Sequence, residues 1–205
     1  MGKIFFTSDQ HFFDNRFEIL FRDFKSQEQY TKTIIENWNN TVGKFDTVYC
    51  LGDIVYGNNP LNIISNLHGV KHLIKGNHDK HEDDEYLKYF KTVKDNIILK
   101  TSKIPLDNNE SHQPEIVKLY LNHYPVMGEV YMWNLCGHIH GSWRHQKNII
   151  NVSVDCWNFK PVSLGTIMRL MDAIENYYDE DVWAAYNQMN TEYMDRGKKG
   201  SYSDG

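Results

Sequence analysis

Short apolar runs alternate with amphipathic stretches along this chain, and most apolar runs stop at a polar cluster. Lys3-Ile4-Phe5-Phe6-Thr7 reads as a first buried strand and Thr47-Val48-Tyr49-Cys50-Leu51 as a second. Between them Tyr30, Ile34, Trp38 and Val42 recur at helical spacing, with Ile35 beside them. Ser26 and Gln29 fit a capping box at the start of that helix, and Gly43 fits a C-terminal stop. Asn59-Pro60 predicts a capped short helix with Ile63, Ile64 and Leu67 on its apolar face. Gly69 then precedes a third strand over Val70 to Ile74. Residues 81–96 read as a charged helix around Tyr86 to Phe90, its start marked by Glu82-Asp83-Asp84-Glu85. Ile97-Ile98-Leu99 and Glu115 to Leu121 predict two strands separated by a polar hairpin loop over 105–114, and Asn148 to Val154 predicts the final strand. Ser163 caps a helix with Ile167, Leu170, Met171, Ile174 and Tyr178 on one face, and residues 197–205 have the composition of a flexible tail. The alternation of strand and helix predicts an α/β fold, with one domain over residues 1–196.

The polar clusters are the informative part. They are Ser8-Asp9-Gln10-His11, Gly52-Asp53, Lys75-Gly76-Asn77-His78-Asp79, Asn122-His123 and Gly137-His138-Ile139-His140-Gly141. In open α/β sheets the C-terminal strand edge is where ligands bind. Aspartate and histidine two apart at a strand tip can offer a hard oxygen and an imidazole nitrogen to one cation. Two histidines at i and i+2 on extended backbone point to opposite faces, so His138 and His140 share a site only if the chain turns there, which Gly137 and Gly141 permit. Taken singly, each cluster also fits an ordinary turn, and Asp79 reads first as a turn residue. Cys50 and Cys136 stand within apolar runs and read as core rather than as soft ligands.

Composition narrows the classes. The chain has 205 residues, 40 % of them hydrophobic and 24 % charged, as expected of one globular domain. No apolar run reaches the length of a membrane span, and Met1-Gly2-Lys3 leads straight into a strand, which predicts no signal peptide. Phe6 stands where an N-myristoylation motif wants Ser or Thr. Three scattered cysteines without a Cys-x-x-Cys pair predict reduced, buried thiols and a cytoplasmic setting. A net charge of −5 argues against a broad nucleic-acid-binding surface, which needs a basic patch.

In their order, the five clusters resemble the calcineurin-like metallophosphoesterase family over about residues 3–165. Within it the chain is similar to a small single-domain bacterial and bacteriophage branch, which shares the segment Trp157-Asn158-Phe159-x-Pro161-Val162. The resemblance implies a four-layer α/β/β/α sandwich of two mixed sheets flanked by helices, with two metal ions where strand tips meet. It implies that Asp9, His11, Asp53 and His140 hold one ion, and that Asp53, Asn77, His123 and His138 hold the other, with Asp53 bridging. His78, without an ion in this scheme, is implied as proton donor or stabiliser of phosphoryl charge, and Asn77 and His78 as substrate contacts. Such mixed ligands suit Mn²⁺ first, with Fe, Zn²⁺ or Ni²⁺ as alternatives. The implied activity is a phosphodiesterase on small nucleotide-type diesters. A phosphomonoesterase or a nuclease on the same metals is the alternative, and the full set of ligand types argues against a non-enzymatic scaffold. One departure stands out: relatives in that branch commonly continue the first cluster as Phe-Gly-His, whereas this chain has Phe12-Phe13-Asp14. Arg22, Tyr124 and Asn158 are further pocket candidates. His68, His72, His81, His112 and His145 have no partner cluster and read as ordinary histidines.

Overall fold

The apolar residues of Ile4–Thr7 (β1), Thr47–Cys50 (β2) and Val70–Ile74 (β3) pair in parallel in the computed structural model, which describes residues 2–16, 20, 22–103, 115–125 and 131–177. Register places Phe6 beside Tyr49 and Cys50 beside Leu73. Thr92–Lys94 (β4) continues this sheet in parallel beyond β3. A second sheet is formed by Asn96–Lys103 (β5), Glu115–Asn122 (β6), Trp133–Cys136 (β7), His145–Gln146 (β8) and Ile149–Asn151 (β9), in the order β5-β6-β7-β9-β8. β6, β7 and β9 run parallel and the two edge strands antiparallel. Val162–Ser163 (β10) returns to the first sheet, antiparallel to β1, completing the order β10-β1-β2-β3-β4. Two mixed sheets with flanking helices make the α/β fold that the sequence implies.

Helix α1 (Gln27–Thr41) forms where the 3.6-residue period predicts, and buries Tyr30, Ile34 and Trp38. These join Phe5, Val48, Cys50, Ile64 and Leu73 in one apolar cluster on that face of the first sheet. The Trp38 indole also donates to the His68 carbonyl at 2.9 Å, so its one polar atom is satisfied. The Ser26 hydroxyl accepts from the Gln29 N–H at 3.1 Å, as a cap should. The returning half of the box is displaced by one residue: Gln29 accepts from the Lys25 N–H at 2.9 Å.

Several elements differ from the local reading. α1 ends on Val42 in extended backbone, and Gly43 donates to the Asp46 carboxylate instead of supplying a left-handed cap. The segment after Asn59 is a 3₁₀ helix over Leu61–Asn66 without a side-chain cap, because Pro60 takes the cap position and has no polar side-chain atom, while the Asn59 amide donates back to the Tyr56 carbonyl. The charged helix is one turn, α2 (Asp83–Tyr86), closed by a reciprocal Glu82–Glu85 capping box. Beyond it, β-branched Thr92 and Val93 are drawn into β4 because β3 offers an unpaired edge. The stretch from Asn148 is not the last strand: it divides into β9 and a 3₁₀ turn over Val154–Cys156, and β10 follows. Ser163 caps α3 (Leu164–Tyr177) through the Thr166 N–H at 3.2 Å. The predicted loop at 105–114, Tyr178 and the predicted tail at 197–205 lie outside the described residues.

The chain divides into two compact units, Met1–Arg169 and Leu170–Gly205. All ten strands and every candidate site residue belong to the first. Among the described residues no helix is long and apolar enough to cross a membrane. Cys50, Cys136 and Cys156 are free and buried. Burial pushes the Cys136 thiol up to about 12 and the Cys156 thiol up to about 11. All three should therefore stay unmodified by a thiol reagent in the native chain and react together in denaturant. Rapid labelling of the native protein would show that these thiols are open to solvent.

Candidate metal centre

Asp9 and His11 follow β1, Asp53 follows β2, and Asn77 and His78 follow β3. His123 follows β6, and His138 and His140 follow β7. All of these side chains converge. Asp9, His11 and His140 form one group, and Asp9, Asp53 and His123 another, whose ligand atoms lie within 4.8 Å of one another; each could hold a metal ion. Asn77 joins the second group, its Oδ1 standing 3.1 Å from His123 Nε2 and 2.9 Å from His138 Nδ1. Asp53 Oδ2 lies between the groups, 3.4 Å from His11 Nε2 and 3.5 Å from His123 Nε2.

The backbone at these tips is unusual. Asp9, His11, Asp53, His138 and His140 all have positive φ, between 48° and 72°. Only a few per cent of non-glycine residues adopt this region, and five of them gather at this one locus. The turn at 137–141 is made by the two histidines themselves, not by the glycines beside them. Gly137 is needed for a different reason: a Cβ there would come within 2.6 Å of Asp9 Oδ2. Gly76 is likewise pressed on Asp53, whose backbone nitrogen would stand 2.8 Å from an added Cβ.

The imidazoles are oriented for cation binding. His123 Nδ1 stands 2.7 Å from the Leu51 carbonyl, which can only accept. Nδ1 thus carries a proton, and the ring is held with Nε2 toward Asn77 Oδ1 and Asp53 Oδ2. A proton or a metal ion on Nε2 answers the two oxygens that it faces. His140 repeats the arrangement, with Nδ1 3.0 Å from Asp155 Oδ2. His11 is buried, and both its ring nitrogens lack a hydrogen-bond partner among the described residues. They lie 3.4 Å from Asp14 and Asp53, without hydrogen-bond geometry. Burial depresses the His11 imidazole, but the Asp14, Asp53 and Asp9 carboxylates outweigh it and lift the ring to about 9, so the cavity demands positive charge. Burial raises Asp53, and His11 and His123 more than reverse this, to about 2. The orphaned nitrogens, the fixed His123 ring and the mixed oxygen and nitrogen donors all fit divalent ions.

Residues without a predicted role hold the tips together. Asp79 is more than a local turn: Oδ2 accepts from the Asp53 and Gly76 N–H groups at 2.8 Å each, tying the β2 tip to the β3 tip. Arg22 lies buried under the site and not in a pocket. It donates through Nε and Nη2 to both Asp155 oxygens at 2.7 and 2.8 Å, and to the Asp9 carbonyl at 2.5 Å. Asp155 thus joins Arg22 to His140, a role its place in the sequence does not reveal. Of the other pocket candidates, the Tyr124 ring stands 4.8 Å from that of His138, at the site. Asn158 is exposed, and its backbone carbonyl accepts from the Asn37 amide of α1 at 3.4 Å. The His78 ring packs 5.1 Å from His11 and 5.0 Å from Tyr56. Burial lowers its pKa.

No protein-family model matches the chain. An uncharacterized protein of Methanocaldococcus jannaschii is 30 % identical over 184 residues, covering 84 % of this chain and 93 % of that one. The gene 66 protein of Mycobacterium phage L5 is 28 % identical over 203 residues, covering 85 % and 96 %. Among solved structures, a protein of unknown function from Aquifex aeolicus superimposes with a TM-score of 0.60 at 24 % identity, over 83 % of this chain and all of that one. That likeness shows the fold.

Replacing Asp155 by alanine leaves the buried Arg22 guanidinium without its carboxylate. The expected loss of stability is about 3–5 kcal/mol in urea unfolding, with Asp155→Asn losing less. A loss under about 1 kcal/mol would show that Arg22 has another way to place its charge.

Proposed function

The chain belongs to the same family as the Methanocaldococcus jannaschii protein, and from its own site we propose that it is a dinuclear metal-dependent phosphohydrolase, acting as a phosphodiesterase on small nucleotide-type diesters. The observation that carries this reading is the convergence of Asp9, His11, Asp53, His123 and His140 in two groups that could each hold a metal ion, with His123 Nε2 held toward the oxygens of Asn77 and Asp53. Asp9, His11, Asp53 and His140 would hold one ion, and Asp53, Asn77, His123 and His138 the other. The place of Asp53 Oδ2 between His11 and His123 supports its bridging role. Two divalent ions, Mn²⁺ foremost, would supply an activated water nucleophile and neutralise the phosphoryl oxygens.

The remaining chemistry falls to the chain. The His78 N–H takes Asp53 Oδ1 as acceptor at 2.8 Å, which fixes the backbone of that tip. Its ring carries no hydrogen bond to the described residues and stays available to the leaving oxygen, as proton donor or as donor to developing charge. Asn77, beside it, is the second substrate contact. The overall charge of −5 disfavours a long nucleic acid as substrate and leaves a small diester as the better reading. The reduced thiols and the absence of a long apolar helix among the described residues fit a cytoplasmic setting.

Diester and monoester substrates assayed side by side with added Mn²⁺ test the proposal. Asp53→Asn should lose bound metal by elemental analysis together with turnover; two metals retained per chain with normal turnover would remove Asp53 from the bridging role. His78→Ala should keep both metals and lose about 10²–10⁴-fold in turnover. That loss should be larger for alkyl or nucleoside leaving groups than for a nitrophenolate, which departs without a proton. Equal losses on both would assign His78 to phosphoryl-charge stabilisation, and loss of one metal would make it a ligand.

A further inference from the structure

Asp14, the departure from the family pattern, is buried, and it does not stand alone. Arg16 donates through Nε to Asp14 Oδ1 at 2.9 Å and through Nη2 to Oδ2 at 2.7 Å, a two-pronged pair. The Arg16 N–H adds a third bond to Oδ1 at 3.1 Å. The guanidinium carbon also sits 4.4 Å from the centre of the Tyr56 ring. Arg16 is therefore held on two sides, yet its side chain is 38 % exposed, and Nη1 has no partner among the described residues. A clamped guanidinium with one edge free is a ready donor to an anion.

Two contacts fix its distance from the reacting centre. Asp14 Oδ2, which Arg16 grips, is 3.4 Å from His11 Nδ1. Tyr56, on which Arg16 lies, packs 5.0 Å from His78. By either route Arg16 stands one side chain beyond the His11 and His78 positions, at the margin of the site, where its free edge can meet a charge further along the substrate. We infer that Arg16 is a specificity-determining residue that binds a second anionic group, a phosphate carried elsewhere on the diester substrate and kept in its product, so that a product bearing two phosphates is bound more tightly than one bearing a single phosphate. This rests on the phosphohydrolase reading for the position of the first phosphate.

The experiment is equilibrium binding of adenosine 3′,5′-bisphosphate and adenosine 5′-monophosphate to the metal-loaded chain and its variants. The wild type should bind the bisphosphate about tenfold more tightly, the order expected of a charge-assisted contact. Arg16→Gln should collapse that ratio toward one, and Arg16→Lys should retain part of it. Because Arg16→Gln alone strands the buried Asp14 carboxylate, the double variant Asp14→Asn with Arg16→Gln is measured too and should show the same collapse. Metal content and thermal midpoint accompany every variant. A ratio in the wild type near one, a ratio unchanged in the variants, or equal weakening of both probes with loss of metal would each overturn the inference. Hydrolysis of nitrophenyl and nucleoside esters separates the two proposals. Esters cleaved with an Arg16-independent ratio sink only the Arg16 assignment. An Arg16-dependent ratio with no ester cleaved under any of the four metals sinks only the hydrolase.

Discussion

Asp9 and Asp53 bring two buried carboxylates within reach of the same imidazole, that of His123. Water cannot solvate them, and mutual repulsion in a medium of low dielectric is expensive. The surrounding groups answer that charge. The Ser8 hydroxyl donates to Asp9 at 2.6 Å and the His138 N–H at 3.1 Å, while the His78 N–H serves Asp53 at 2.8 Å. These bonds account for part of the charge, and His11 faces what is left with ring nitrogens that have no hydrogen-bond partner among the described residues. A site of this kind could hold a metal ion, which would answer the remaining charge.

Holding it requires a strained backbone. A non-glycine residue at positive φ costs about 1–3 kcal/mol, and five are gathered here. The support lies one layer out. Asp79 ties the tips of β2 and β3, Arg22 ties the Asp9 carbonyl to Asp155, and Asp155 reaches His140. Asn151 secures the same loop, its amide donating to the carbonyls of His140 and Trp143 at 2.6 and 2.8 Å. None of these groups needs to meet a substrate. They make the loops behave as rigid extensions of the strands, so the side chains that could hold a metal ion are preset.

The Asp14–Arg16 pair shows how a local departure can be absorbed. A carboxylate beside His11 adds negative charge to a site already rich in it, and Arg16 neutralises that charge while extending the polar surface outward. The result keeps His11 hemmed in by carboxylates and places a fixed cation at the margin of the site.

The sequence by itself determined the strands β1, β2, β3 and β6, the amphipathic α1 with its Ser26 cap, and the concentration of Asp, Asn and His at strand ends. These follow from periodicity and from side chains acting on backbone a few residues away. It did not disclose that Thr92–Lys94 is a strand, since that depends on the open edge of β3. Nor did it disclose that His138 and His140 make their own turn while Gly137 yields space to Asp9. The roles of Asp155, Arg22 and the Leu51 carbonyl were hidden for the same reason. The His123–Leu51 contact spans 72 residues of chain and the Arg22–Asp155 pair 133. Which ring nitrogen carries a proton, and which carboxylate meets which cation, is set by groups that only the folded chain brings within hydrogen-bond distance. A linear pattern can name the ligand types, but tautomer, charge and orientation belong to the tertiary structure.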